Sequence, residues 1–217
     1  MRARLNMGVH VPYHFLEVAV TPSVRAAQAD MGADQIWLGD HDRPSDTFTQ
    51  NEIAFIASRD SFYMASVSET GWPYVQHRGG RAGFLKVVDH RTMAFADYRG
   101  NRQYISAGNF AANDRACLFL MDYGRRARLK IYAHVERLTL DADQALTDLV
   151  SDPTYKGRPE RLFKLRLEAY DWNCPQHIIP RYTEQQVEEA VAPLRQRLHQ
   201  LEAENATLRA RLEGKAL

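Results

Sequence analysis

Residues 61–78 read SFYMASVSETGWPYVQHR. Before this stretch the apolar residues recur at helical spacing; here the period drops to two, which sends alternate side chains to opposite faces of a strand. Ser61 to Ser68 reads as one strand, Glu69-Thr70-Gly71 as a hairpin turn, and Trp72 to Arg78 as the returning strand, broken by Gly79-Gly80-Arg81-Ala82-Gly83. The pattern continues toward the C-terminus. Phe84 to Val88 and Thr92 to Tyr98 form a second hairpin across Asp89-His90-Arg91, Arg115 to Tyr123 and Arg128 to Leu140 are two long strands around Gly124, and Arg161 to Tyr170 alternates again. Helix is predicted at Asn51 to Ser58 behind a Thr49/Glu52 capping box, at about Asn101 to Ala112, and at Asp141 to Val150. Upstream, Thr21-Pro22-Ser23 starts a short helix that Gly32 ends, and Gly39 to Asp46 is a polar loop. Six or so antiparallel strands, short turns and one mid-sheet helix predict a mainly β fold with helices (α+β), closed into an antiparallel barrel.

From Thr183 the sequence changes character. Val191, Leu198, Asn205 and Leu212 at a, with Val187, Leu194, Leu201 and Leu208 at d, make a coiled-coil seam, and Arg197/Glu202 and Glu204/Arg209 agree in sign across it. A buried Asn at a is a device for fixing a parallel two-stranded register, so a parallel homodimeric coil is predicted, safest from Leu194 onward because Pro193 starts or kinks the helix. A single amphipathic helix is the alternative. The residues ahead of the seam, Tyr182 to Glu189, are acidic, unlike the basic helix of a DNA-binding zipper. The chain thus divides into an N-terminal extension (1–46), a barrel domain (47–180) and a C-terminal coiled-coil dimerisation helix (183–214).

The 217 residues carry 28 Lys+Arg against 27 Asp+Glu, so no global field recruits nucleic acid or an anionic membrane. Only Cys117 and Cys174 are present, the first inside an apolar strand pattern, which argues against a disulfide framework and for a reducing compartment. The N-terminus lacks a continuous apolar core, and the longest apolar run, Ala116 to Met121, is far too short to cross a bilayer. A soluble, cytoplasmic protein is the expectation.

Local chemistry is concentrated at one junction. Residues 95–110, FADYRGNRQYISAGNF, run from strand into predicted helix with two arginines, a glycine and two amides between. A helix N-terminus offers unpaired N–H groups and a positive dipole end, and Arg adds a forked donor, so this is a candidate phosphate site rather than only a solvated turn. Further basic and polar residues stand at strand ends: Gln76-His77-Arg78, Arg81, Lys86 and Arg128. Other chemistries are poorly served. Cys174/His177 and His10/His14 are spaced like metal ligands but no second pair completes a tetrahedron, and there is no G-x-S-x-G, no P-loop and no G-x-G-x-x-G.

These parts, in this order, resemble the pyridoxamine 5′-phosphate oxidase-like family: RDSFYMASVSETGWPYVQ as first hairpin, RAGFLKVVD with Arg and Lys five apart, MAFADYRGNRQ as strand into helix, and RARLKIYAHVERL as a long strand. The resemblance covers about Arg59 to Leu138, with a weaker echo at Asp171 to His177. It implies an FMN-binding split β-barrel of Greek-key type, a homodimer with the flavin at the protomer interface. It further implies that Arg81, Lys86, Asn101, Arg102 and Gln103 hold the FMN phosphate, that Ala96 and Asp97 lie beside the isoalloxazine, and that Arg128 touches the flavin. Arg128 or Arg78 would favour the reduced anionic ring; Trp172 and His177 would cover the flavin or bind substrate, and His77 and His177 are the acid–base candidates.

Three departures from the family pattern alter the implied function. Gln103 stands where the family has Lys and Arg128 where it has Gln, and the C-terminal Arg-x-His pair has no counterpart, which points away from pyridoxamine phosphate as substrate. The implied activity is that of an FMN-dependent oxidoreductase, with NAD(P)H or a small molecule as second substrate. The alternative is a non-catalytic flavin or haem storage module assembled by the zipper.

Overall fold

The computed structural model describes residues 14–33, 36, 46–172 and 176–213; His10, Cys174 and most of the predicted polar loop at 39–46 lie outside them. The chain divides into two compact units, the first running to Asp122 and resuming at Ala127–Gln176, the second made of Tyr123–Arg126 and the residues from His177 on. No helix among the described residues is long and apolar enough to cross a membrane.

The first unit is built on seven strands: β1 (Ser61–Val67), β2 (Pro73–Gly79), β3 (Lys86–Asp89), β4 (Thr92–Tyr98), β5 (Arg115–Asp122), β6 (Ala127–Leu138) and β7 (Pro159–Trp172). Every neighbouring pair is antiparallel, in the order β2-β1-β5-β6-β7-β4-β3. Period two does what it promised. Phe62, Met64 and Ser66 of β1 are buried, with Arg78, Gln76 and Tyr74 of β2 opposite them, while Tyr63 and Ala65 share the other face with His77 and Val75. The buried face joins Leu118, Leu120, Leu129, Ile131, Phe95, Phe163, Leu165 and Leu167 into one apolar core, each such side chain contributing roughly 1.5–3 kcal/mol.

Two helices pack on this core. The first, from Gln50 to Ala57, starts at the Thr49 capping box, with Thr49 N donating to Glu52 Oε2 at 2.9 Å and Asn51 N donating to Thr49 Oγ1 at 3.2 Å. The second, Ile105–Ala112, contributes Ala107 and Phe110. On the other face of β4 a smaller cluster gathers Ala94, Ala96 and Leu162 with Leu146 and Val150 of a helix at Gln144–Val150. In chain order the helices are α1 (His14–Ala19), α2 (Pro22–Asp30), α3 (Gln50–Ala57), α4 (Ile105–Ala112), α5 (Gln144–Val150) and α6 (Glu184–Glu213). α2 follows its Thr21 cap as predicted; α1 was not predicted.

Two expectations are corrected. The sheet does not close into a barrel: among the described residues β2 and β3 are edges, each paired on one side only. The connection between them explains why. Gly80 N and Gly83 N donate to Asp60 O and Arg59 O, Gly83 holds φ +78 with no room for a Cβ beside the Ala57 carbonyl, and the β3–β4 pairing slips between Val87 and Asp89. A short strand with a shifted register and donors already spent elsewhere is a poor closing strand. The C-terminal segment, likewise, is not a coiled coil. It is one helix, α6, which runs through Pro193 and leaves Leu194, Leu201 and Leu208 exposed, with no second helix packed on the seam among the described residues. In the same unit the Arg181 guanidinium stacks on Tyr123, 5.1 Å from the ring centre.

Candidate functional site

A cavity of about 220 Å³ opens beside the end of β4. One wall is the inward face of β2, where residues two apart, Tyr74, Gln76 and Arg78, line up; the rest comes from Asp97, the 100–104 turn, the first residues of α4 and Glu160 of β7.

Arg78 is the floor. Its Nη1 lies 2.5 Å from Asp97 Oδ1, its guanidinium lies against the neighbouring rings of Phe95 and Phe163 at 5.7 and 5.5 Å, and its Nε is buried without a partner among the described residues. Arg161 Nε approaches the second oxygen of Asp97 at 3.6 Å. The carboxylate and the two aromatic faces offset the cost of taking the guanidinium out of water. Beside it Ser106 Oγ donates to Gln76 Oε1 at 2.8 Å, fixing the amide.

The lip departs from the predicted helix start. The helix begins at Ile105 rather than near Asn101, because Arg102 (φ 65) and Tyr104 (φ 53) are both left-handed. Asn101 Oδ1 accepts from Gln103 N at 3.1 Å, a side-chain-closed turn that accounts for the kink. Asn101 and Gln103 also meet through their side chains, at 3.2 Å. Arg102 is exposed and has no hydrogen-bond or ion-pair partner among the described residues. Tyr104 donates to Glu160 Oε1 at 3.3 Å and its ring lies under Arg161, while Arg99 Nε holds the same Glu160 oxygen at 2.7 Å. Hydrogen bonding to Arg99, first, and to Tyr104 holds the Glu160 carboxyl below its usual range.

Six of the twelve candidate residues therefore meet here: Gln76, Arg78, Asp97, Asn101, Arg102 and Gln103. Arg81 and Lys86 instead line a second cavity of about 280 Å³ on the far side of Tyr98, where Arg81 lies 3.4 Å from Asp152 and Ser151 Oγ is buried without a partner. The remaining four lie elsewhere. His77 points from the opposite face of β2 and packs on Tyr63; Ala96 belongs to the cluster under α5; Arg128 lies over Phe119. Trp172 packs edge-on against Phe55 and donates to Glu52 Oε1 at 2.6 Å, tying β7 to the α3 cap. His177 falls in the second unit. Tyr74, Tyr104, Ser106 and Glu160 were not among the candidates; Tyr74 could have been found, since it shares the strand face of Gln76 and Arg78.

Among the described residues no group of His, Cys, Asp and Glu is arranged to hold a metal ion. A family model described as pyridoxamine 5′-phosphate oxidase matches residues 48–168, the whole sheet up to the middle of β7. The chain belongs to the pyridoxamine 5′-phosphate oxidase-like family. Members of this family typically bind FMN.

Solved structures similar to the chain include HupZ from Group A Streptococcus, at 14% identity over 62% of this chain and 100% of that one, with a TM-score of 0.48. A protein from Clostridium acetobutylicum related to general stress protein 26, of the pyridoxinephosphate oxidase family, is 14% identical over 57% and 84%, TM-score 0.40. An FMN-binding protein from Syntrophomonas wolfei is 12% identical over 70% and 95%, TM-score 0.43. No curated protein sequence matches the chain.

Proposed function

We propose that the protein is an FMN-dependent oxidoreductase whose cofactor enters the cavity between β2 and the 100–104 turn. The observation that carries the reading is Arg78: a cation with 13% of its side chain exposed and a buried Nε–H that has no partner among the described residues, in a cavity whose lip holds Arg102, which has none among them either. The donor set suits the cofactor. A phosphate dianion takes positive charge and forked donors, which Arg102 supplies beside the Asn101 and Gln103 amides, and the first-turn N–H groups of α4 belong to the same wall. The acceptor edge of an isoalloxazine takes a fixed donor, which Arg78 supplies with Asp97 holding it in place. FMN, when bound, supplies reversible electron transfer; the chain's own residues bind it, orient it and set the charge around it.

At about 220 Å³ the cavity is smaller than the roughly 300–1,000 Å³ of ordinary cofactor sites. A homodimer, with a second copy completing the site, accounts for this. The outward face of β2 and β1, where Val75 and Tyr63 are 60% and 42% exposed beside Ala65, is the apolar surface available for such pairing.

The purified protein should show flavin absorption bands or acquire them on adding FMN; a colourless protein that ignores FMN sinks the proposal. Anaerobic mixing with NADH or NADPH then separates an enzyme from a store, because bleaching requires electron transfer. Arg102→Ala should weaken FMN binding about 10- to 100-fold, the loss of about 1.5–3 kcal/mol of charge-assisted hydrogen bonding. An unchanged dissociation constant would remove Arg102 from the phosphate site.

A further inference from the structure

The outer face of β6 and β7 carries a row of ionisable side chains that the proposed cofactor site does not use. At its centre is Glu168. Tyr132 pairs with Ala169 and Ala133 with Leu167, so Glu168 is the extra residue of a bulge in β7, a distortion that re-aims a side chain. Its carboxylate stands between two imidazoles: His14 Nε2 of α1 is 3.1 Å from Oε1, and His134 Nε2 of β6 is 3.5 Å from Oε2. The far nitrogen of each ring meets another carboxylate, His14 Nδ1 at Glu17 (2.9 Å) and His134 Nδ1 at Asp114 (2.8 Å).

Acid and imidazole thus alternate through five side chains drawn from α1, β7, β6 and the turn before β5. An imidazole with carboxylate oxygens at both nitrogens can donate to both only when it carries two protons. Once neutral, it sets one nitrogen lone pair against an acceptor and gives up its charge as well. α1 depends on such contacts. At six residues it is too short to persist as an isolated helix, and its other anchors are Phe15 stacked on Tyr132 at 5.0 Å and Lys130 lying 4.7 Å from the Phe15 ring.

We infer that the Glu17–His14–Glu168–His134–Asp114 chain is a proton-operated latch, which holds α1 on the sheet while the His14 imidazole is charged and loosens it when that imidazole is neutral. The hydrogen bond from His14 to Glu17 is the largest influence on His14 and raises its pKa above the ordinary 6.5; burial opposes it, and Glu168 adds to the rise. A group whose folded-state pKa is raised stabilises fully below its unfolded value, and that stabilisation is lost as pH climbs through the folded one. Docking of α1 is therefore firmest below about pH 6.5 and weakens above it. The other charged groups on this face are Lys130, paired with Asp171 at 2.7 Å, Arg115 and Arg166, the register partners of His134 in β5 and β7, and Glu136 and Lys164, which pair in register next to them.

The test is hydrogen exchange on the full chain at pH 6 and pH 9, with each rate referred to the intrinsic rate at that pH. Protection at the Val18, Ala19 and Val20 amides should fall several-fold between the two, while β6 amides keep theirs. In His14→Gln and in Glu168→Gln, protection at pH 6 should match the wild-type value at pH 9 and show no step. Phe15→Ala should lower protection at both pH values and keep the step, which separates packing from titration. A wild-type chain with equal protection at both pH values, or a step of undiminished size in His14→Gln, overturns the latch. FMN binding does not enter any of these readouts.

Discussion

Arg78 and Asp97 hold opposite charges together with only 13% and 11% of their side chains exposed, so removing Asp97 leaves the Arg78 guanidinium without its carboxylate. Asp97→Ala should cost about 3–5 kcal/mol in urea unfolding, whereas replacing both by apolar residues of similar volume should cost far less; equal losses in the single and double variants would mean the pair is not coupled. Arg102 differs, being exposed and left-handed. Arg102→Gly should cost no folding stability while weakening FMN binding, since glycine adopts φ 65 freely. In the helix predicted for this position the same change would cost about 1 kcal/mol. Two residues in left-handed backbone are invisible in the letters RGNRQY, because Arg and Tyr seldom adopt it. Six of the candidate residues share one cavity, but the left-handed turn at its lip is not legible in the sequence. Period two already put Gln76 and Arg78 on one face and His77 on the other, but the basic residues were gathered by type rather than by parity.

Among the elements, α3 shows how a terminus can be tied from both sides. Burial pushes the Glu52 carboxyl up, yet hydrogen bonds from the Thr49 hydroxyl, Trp172 Nε1 and the Thr49 N–H outweigh it and hold its pKa below 4.5. The sign follows: this stabilisation is complete above about pH 4.5 and disappears as pH falls through the lowered value. Glu52→Gln should flatten that part of the acid limb of stability against pH; an unchanged limb would mean the carboxylate is not what the cap holds. Thr49→Ala should cost about 1 kcal/mol, and Glu52→Ala more, because the Trp172 N–H loses its acceptor too. The capping box and the alternation of β1 and β2 were legible because both are local. α1, only six residues long, owes its place to His14, Phe15 and a strand 154 residues downstream.

For the whole molecule, the dimer proposed to complete the cofactor site makes a prediction of its own. Val75→Arg on the outward sheet face should halve the mass seen in sedimentation equilibrium and weaken FMN binding together; a variant that stays dimeric with full affinity removes this face from the interface. Barrel closure was beyond the sequence because it is a question about two distant edges. Phe84 to Val88 alternates well enough to be a strand, but the donors of the preceding loop are taken by Asp60 and Arg59, and no periodicity records that. The sheet order has one more consequence, in time rather than in space. β7 is the shared neighbour of β6 and β4, so the β3–β4 hairpin, complete by Tyr98, cannot join the sheet until Pro159–Trp172 has left the ribosome. Until then the nascent chain carries two unmatched strand borders. Chains ending before residue 159 should accumulate as aggregates during synthesis, and supplying residues 159–172 as a separate peptide should rescue part of them.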